Sequence, residues 1–334
     1  MSTIAERPKL RTLVSSRLVP ILIIGLFLIV IPVFLPADVQ GIMTKFLIYA
    51  IFAISYDLIF GYTGLVSLGH AAFFGAGGYV VAVLSLHFGI SSFWIGIPLA
   101  IIVSALVAVV FGFISLRVSG TYFLLLTFAL AQLLYSIAWN IPWLNSEGMQ
   151  GIANISLPSL GIPGYTWTNA KYYFLVLLVA GICYYLLERI TRSPFGHALV
   201  GIREGEARMT ALGYNTWGFK YRAYVFAAPF AGIAGALFAY HSRFISPSQF
   251  GLGTSFYPMV MAIIGGAGSL FGAVVGAALV VFLEYFTSLV TPERWPLILG
   301  IIFVISIMYL RSGLGVSLIR FWQKVRHSIG YPQN

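Results

Sequence analysis

The sequence predicts an all-α integral membrane protein of about ten transmembrane helices, with both termini cytoplasmic and with broken or re-entrant elements held open among the spans. Three observations point there. Of 334 residues, 60% are hydrophobic and 8% charged, and 9 acids plus 19 bases cannot cover a soluble core of this size with a polar shell. The apolar residues stand in solid runs of about twenty, the length that crosses a hydrocarbon core, not in the alternating ten-residue segments of a barrel. Glycine (35) and proline (15) are plentiful inside those runs, where soluble helices tolerate them poorly and membrane helices accept them.

In chain order, spans are expected near 18–36, 42–60, 64–87, 92–116, 121–140, 171–189, 221–241, 254–267, 270–290 and 296–311. In the first, 15 of 19 residues are Leu, Ile, Val or Phe, which drives insertion by at most roughly 6 kcal/mol. Arg7, Lys9, Arg11 and Arg17 precede it as they would in a signal peptide. The run exceeds a typical h-region, however, and Pro32, Pro36 and Asp38 offer no small-x-small cleavage site, so it reads as an anchor. Glycine crowds 64–87 and 254–267 is short, which leaves both open to being broken or re-entrant.

The net charge of +10 speaks to orientation rather than to nucleic acid, because the bases sit almost entirely between apolar runs. With ten spans and a cytoplasmic N-terminus, 15 of the 19 bases lie inside, leaving Lys45, Lys171, Arg243 and Arg294 at or beyond the outer boundary. This divides the chain into a cytoplasmic tail (1–17), a single transmembrane domain (18–311) and a second cytoplasmic tail (312–334). The long connections are an outer loop at about 141–170 and a cytoplasmic loop at about 190–220. Neither can hold a nucleotide-hydrolysing domain, and no G-x-x-x-x-G-K-[ST] phosphate loop occurs. The chain is expected to hold no cofactor of its own, and any ATP, with its Mg, must be bound by a partner. The one cysteine, Cys183, lies in an apolar run and precludes an internal disulfide framework.

Three segments carry chemistry. Gly61 to Gly78 holds six glycines in eighteen residues, which either exposes backbone to a translocation pathway or serves tight helix packing. Gly64, Ser67, Gly69, His70 and Phe73 are the candidates there, and a structural hydrogen bond is at least as reasonable for His70 as a pathway role. A second cluster supplies Gly265, Gly266, Gly268 and Ser269. Aligned at Gly64 and Gly266, the two share a serine three residues on, then leucine, then alanine, which suggests either an internal duplication or chance.

The third segment runs from Ser193 to Gly213. Ser193 and Pro194 make a helix start and Gly213 a stop. Phe195, Leu199, Ile202, Met209 and Leu212 recur with helical spacing as one apolar face opposite Arg203, Glu204, Glu206 and Arg208. Such a helix lies at the surface and suits the groove of a soluble partner, the alternative being lipid headgroups; its mixed charge favours the partner. Acids within the spans are scarce, with Asp57 near an inner boundary and Glu284 toward an outer one, and they form no midplane relay of the kind an ion-driven pump needs.

These segments, with Leu116 to Phe123, Phe230 to Leu237 and Ile264 to Gly276, resemble the membrane subunits of branched-chain amino acid ABC importers, of the LivM-type permease, from about Leu47 to Leu314. The resemblance implies that Arg203 to Gly213 is the coupling loop on a cytoplasmic ATPase, with Glu206, Ala207 and Gly213 at its acid, small-residue and glycine positions. It also implies a second related permease, two ABC ATPase subunits and a periplasmic substrate-binding protein. One departure is Ser146-Glu147-Gly148-Met149-Gln150-Gly151, where the family often reads Thr-Gly-Gly with another glycine three residues on.

The expected function is therefore a pore-forming importer subunit, not an enzyme, in a bacterial inner membrane. Urea, short amides or aromatic acids are alternative substrates within the family. An ion-driven secondary transporter or channel is the alternative of another class, and a non-transport scaffold is a third.

Overall fold

The computed structural model describes residues 35–146, 150–161, 166–290 and five helical positions at 297, 298, 300, 301 and 304. Its helices are α1 (Ala37–Asp57), which runs on through a π turn at Leu58–Tyr62, then α2 (Ala71–Phe88), α3 (Phe93–Ser115) and α4 (Thr121–Asn140). They continue as α5 (Asn169–Thr191), α6 (Pro194–Ala211), α7 (Thr216–Ser242), α8 (Leu252–Gly265) and α9 (Leu270–Val290). Among the described residues seven are long and apolar enough to cross a membrane, namely all of these except α6 and α8.

Seven of the ten expected spans thus coincide with long helices. The eighth, at 254–267, is α8, whose 14 residues reach about 21 Å, short of a hydrocarbon core of about 30 Å. The expected spans at 18–36 and 296–311 and the two tails lie outside the described residues, apart from the five positions just named. One boundary moves substantially. The span expected from residue 64 begins as a helix only at Ala71, because the chain between them is non-helical, with Gly64 at φ +76°.

The bundle is layered around α1, α2 and α7. The apolar window of α1 is 89% buried, whereas those of α4 and α5 are 22% buried, so the centre is protein and the outside is a lipid-facing shell. Ile102, Leu106 and Val110 of α3, Leu125 and Leu133 of α4, and Leu178 and Ile182 of α5 all point outward. In water such a patch would drive aggregation; in a bilayer it is the natural surface. Without a hydrophobic force between helices, close packing must hold the centre together. At the α2–α7 crossing a Cβ on Gly77 would stand 2.5 Å from the Gly232 Cα, and one on Gly235 would stand 2.7 Å from the Phe74 carbonyl carbon. Only glycine permits that approach.

One ion pair links two helices inside the bundle. Lys45 Nζ of α1 meets Glu284 Oε1 of α9 at 2.9 Å, which limits the cost of each charge near lipid. At the end of the bundle away from α6, Ile152–Ala153 (β1) pairs antiparallel with Phe244–Ile245 (β2) in the register Ile152↔Ile245. His87 stacks on Trp143 and shares a hydrogen bond with its carbonyl at 2.7 Å. The described part of the 141–170 loop is therefore strapped across the ends of α2 and α7.

Candidate functional site

Both glycine clusters and α6 meet at one end of the bundle. The α6 helix begins as its residues require: the Ser193 hydroxyl accepts from Gly196 N at 3.4 Å and Pro194 occupies the first turn. It ends in a Schellman motif, with Tyr214 N donating to Met209 O at 3.1 Å and Gly213 N to Thr210 O at 2.9 Å. Gly213 stands at φ +88° with nothing near its missing Cβ, so conformation alone, not space, demands glycine.

One expectation is corrected. The sequence reads as a single apolar face from Phe195 to Leu212, but the backbone departs from helix at Gly205 (φ −178°, ψ 83°). Before that break, Leu199 and Ile202 are buried in this chain, and Phe195 stacks on Phe219 of α7. After it, Leu212 is 73% exposed. The apolar residues of the first half are therefore already used within the chain, and the part of α6 left exposed runs from Glu204 to Tyr214. Arg203, Glu204, Glu206, Ala207, Arg208 and Gly213 all lie on it or at its edge with exposed surface. Glu206 Oε2 also pairs with Lys220 Nζ of α7 at 2.6 Å, which fixes the second half of α6 on the bundle.

Residues 64–70 of the first glycine cluster form the non-helical link from α1 to α2, while Gly75, Gly77 and Gly78 lie within α2. Gly69 lies against α4, where a Cβ would stand 2.5 Å from the Thr127 carbonyl oxygen, while Leu68 N donates to Thr127 Oγ1 at 3.2 Å. Ser67 Oγ accepts from Gly69 N at 3.2 Å. His70 and Phe73 are fully buried. The Ser55 hydroxyl donates to Phe52 O at 2.7 Å, so the His70 Nε2 contact with Ser55 Oγ at 2.8 Å places the imidazole proton on Nε2. The ring stacks on Phe52 at 5.4 Å, and its Nδ1 has no partner.

The second cluster turns the chain from α8 into α9. Gly266 and Gly268 stand at φ +106° and +84°, Ser269 Oγ accepts from Gly272 N at 3.1 Å, and Gly265 lies against Gly272 so that the two helices approach at backbone distance. The two clusters share a local design: a glycine with positive φ at Gly64 and Gly266, then a serine three residues on whose hydroxyl caps a backbone amide.

What joins them was not legible as a site. Asp57, fully buried in the last turn of α1, accepts from Gly268 N at 2.8 Å. Arg203 of α6 donates through Nη1 to the Gly61 carbonyl. A Cβ on Gly64 would meet Arg203 Cγ at 3.0 Å, and one on Gly268 would meet Arg203 Nη1 at 2.9 Å. The only signal in the sequence was a lone acid in an apolar run. Among the described residues no group of three or more His, Cys, Asp or Glu is arranged to hold a metal; the chemistry this end offers is hydrogen bonding and charge across helix ends.

A shell of membrane-length apolar helices around a buried centre, with one exposed helix at its end, defines a multi-pass membrane protein. The chain belongs to the family described as branched-chain amino acid transport system / permease component, whose model matches residues 39–307. It is 31% identical to the high-affinity branched-chain amino acid transport system permease protein LivM of Salmonella typhimurium and 30% identical to that of Escherichia coli, in each case over 72% of this chain and 61% of the relative. It is also 24% identical to the permease protein LivH of Salmonella typhimurium, over 72% of this chain and 82% of that relative. The chain thus spans 61% of the length of these LivM relatives. No solved structure matches it.

Proposed function

We propose that this chain is the pore-forming permease subunit of an ATP-binding-cassette importer that takes up branched-chain or related amino acids delivered by a periplasmic binding protein. The family match along residues 39–307 carries the reading, and the names of the LivM relatives supply the substrate class. Likeness to proteins named both LivM and LivH supports pairing with a second, related permease. The chain itself is not an enzyme; two cytoplasmic ABC ATPase subunits bind ATP and Mg and dock on Glu204 to Tyr214 of α6. The exposed second half of α6 supports that docking.

The basic residues on the α6 side support an orientation with this end and both tails in the cytoplasm of a bacterial inner membrane, and the strapped 141–170 loop facing the binding protein. Gly64, Ser67, Gly69 and His70, with Gly265, Gly266, Gly268 and Ser269, act as helix breaks at the cytoplasmic end of the pathway, with Phe73 in the first turn of α2 beside them, and the two short non-helical links let helices shift relative to one another. Co-purification and reconstitution test the proposal. An importer predicts that an ATPase pair co-isolates and that uptake in proteoliposomes needs ATP and the loaded binding protein. Accumulation driven by a proton gradient through the lone chain would replace it with a secondary transporter.

A further inference from the structure

We propose that Arg203 and Asp57 form a two-position latch joining α6 to the transmembrane helices: the guanidinium rests on the Gly61 carbonyl in the state described here and moves to the Asp57 carboxylate when α6 is displaced. The proposal deepens the docking reading above and rests on it, since a partner must push on α6.

The α1 helix ends in a π turn, Leu58–Tyr62, a feature that loosens a helix locally and recurs at functional sites. Helix ends leave carbonyls without partners, and here the Gly61 carbonyl is capped by Arg203 from outside the helix, a cation placed where the helix dipole favours one. Asp57, four residues earlier, is an acid in the turn where that dipole disfavours it. It stays buried because Oδ1 accepts from Gly268 N at 2.8 Å, while Oδ2 is buried with no partner. A buried carboxylate oxygen left unpaired is a standing deficit, and a buried charge is normally satisfied.

The group able to satisfy it stands in the same cluster. Arg203 Nη1 comes within 2.9 Å of the Cβ position of Gly268, the residue that Asp57 already holds. Three glycines make room: Gly64, Gly61 and Gly268 each place bare backbone against Arg203 or Asp57. Arg203 is itself 35% exposed and its other contact, Glu204 at 3.9 Å, is loose. The side chain can therefore exchange one charge-assisted bond for another, uncapping α1 as it does so. Because Asp57 also holds the α8–α9 turn, the exchange would pass a displacement of α6 to both glycine links together.

The test uses the assembled importer in proteoliposomes and reads substrate taken up per ATP hydrolysed. Asp57→Asn keeps an acceptor for Gly268 N but removes the charge that draws Arg203; Arg203→Gln keeps a donor for the Gly61 carbonyl but removes the cation. Each single variant is expected to lower the ratio about tenfold, within the range of ordinary coupling energies. The double variant is expected to be no worse than the worse single, the signature of two groups acting as one unit. A purely structural cap predicts instead that Asp57→Asn transports as wild type, and a ratio within twofold of wild type overturns the latch. Should Asp57→Asn fail to assemble, Arg203→Gln alone decides by the same criterion, because Arg203 lies outside the spans. In parallel, Ala207→Cys in a Cys183→Ala background reports docking by cross-linking to the ATPase. No cross-link overturns the docking reading and the latch with it, whereas a cross-link with an undisturbed ratio overturns the latch alone.

Discussion

Replacing Gly235 by alanine is expected to loosen the centre of the bundle, and the size of the effect follows from what the new methyl group meets. Its Cβ would lie 2.7 Å from the Phe74 carbonyl carbon and 3.1 Å from the Phe74 Cα, where carbon atoms prefer about 3.5–4.0 Å. These atoms and the Phe74 carbonyl oxygen, which stands closer still, are backbone of the partner helix, so no side-chain rotation relieves them, and α2 and α7 must separate by more than an ångström. Separation weakens the neighbouring close contact of Gly77 with Gly232 along the same crossing. Overpacking of this kind costs about 1–3 kcal/mol, and rigid backbone on both sides places it at the upper end. Alanine's better helix propensity returns at most about 1 kcal/mol, leaving a net loss of roughly 2 kcal/mol and a fall in the unfolding midpoint of several degrees.

Thermal unfolding of the purified protein in detergent, followed by size-exclusion of the surviving monodisperse fraction, measures it. Gly181→Ala in α5 is the control, since nothing lies within 4 Å of its Cβ position, and it is expected to be neutral or stabilising. Equal midpoints for the two variants would refute the close-approach account of the α2–α7 crossing.

Other consequences are independent of that crossing. Glu206→Lys opposes Lys220 across a surface pair worth at most about 1 kcal/mol; the midpoint should hardly move while ATP-driven uptake is lost, and wild-type uptake would remove Glu206 from the docking surface. Gly213→Ala forces a methyl into the left-handed region at a cost of about 1–2 kcal/mol, confined to the end of α6. Limited trypsin digestion should then cut after Arg208 several times faster, and an unchanged rate would contradict the Schellman assignment. Lys45→Met strands Glu284 beside lipid and should destabilise by about 1–3 kcal/mol, with Glu284→Gln added to it restoring part of the loss; equal midpoints for single and double variants would show that the pair does not act as one.

Much of the architecture was legible in the sequence because hydropathy is summed locally and the bilayer imposes one length on every crossing. The spans at 92–116, 121–140 and 270–290 needed no adjustment beyond two residues at either end. The start and stop of α6 were equally plain, since Ser193, Pro194 and Gly213 act through bonds to residues no more than five positions away. The α2 boundary was not. The hydropathy of 64–70 suits a span, yet Gly64 at positive φ and the contact of Gly69 with Thr127 hold that stretch out of helix.

What the sequence by itself determined is the solvent this protein lives in, the place and order of seven of its long helices in the described region, and the presence of a surface helix among them. The tertiary structure decided which half of α6 is left exposed, that His70 donates to Ser55, and that the two glycine clusters, Asp57 and Arg203 form a single junction. The reason is separation along the chain: the Arg203–Gly61 and Asp57–Gly268 bonds join residues 142 and 211 positions apart. No local pattern encodes such a pairing; it exists only after packing has brought the ends of three elements to one place.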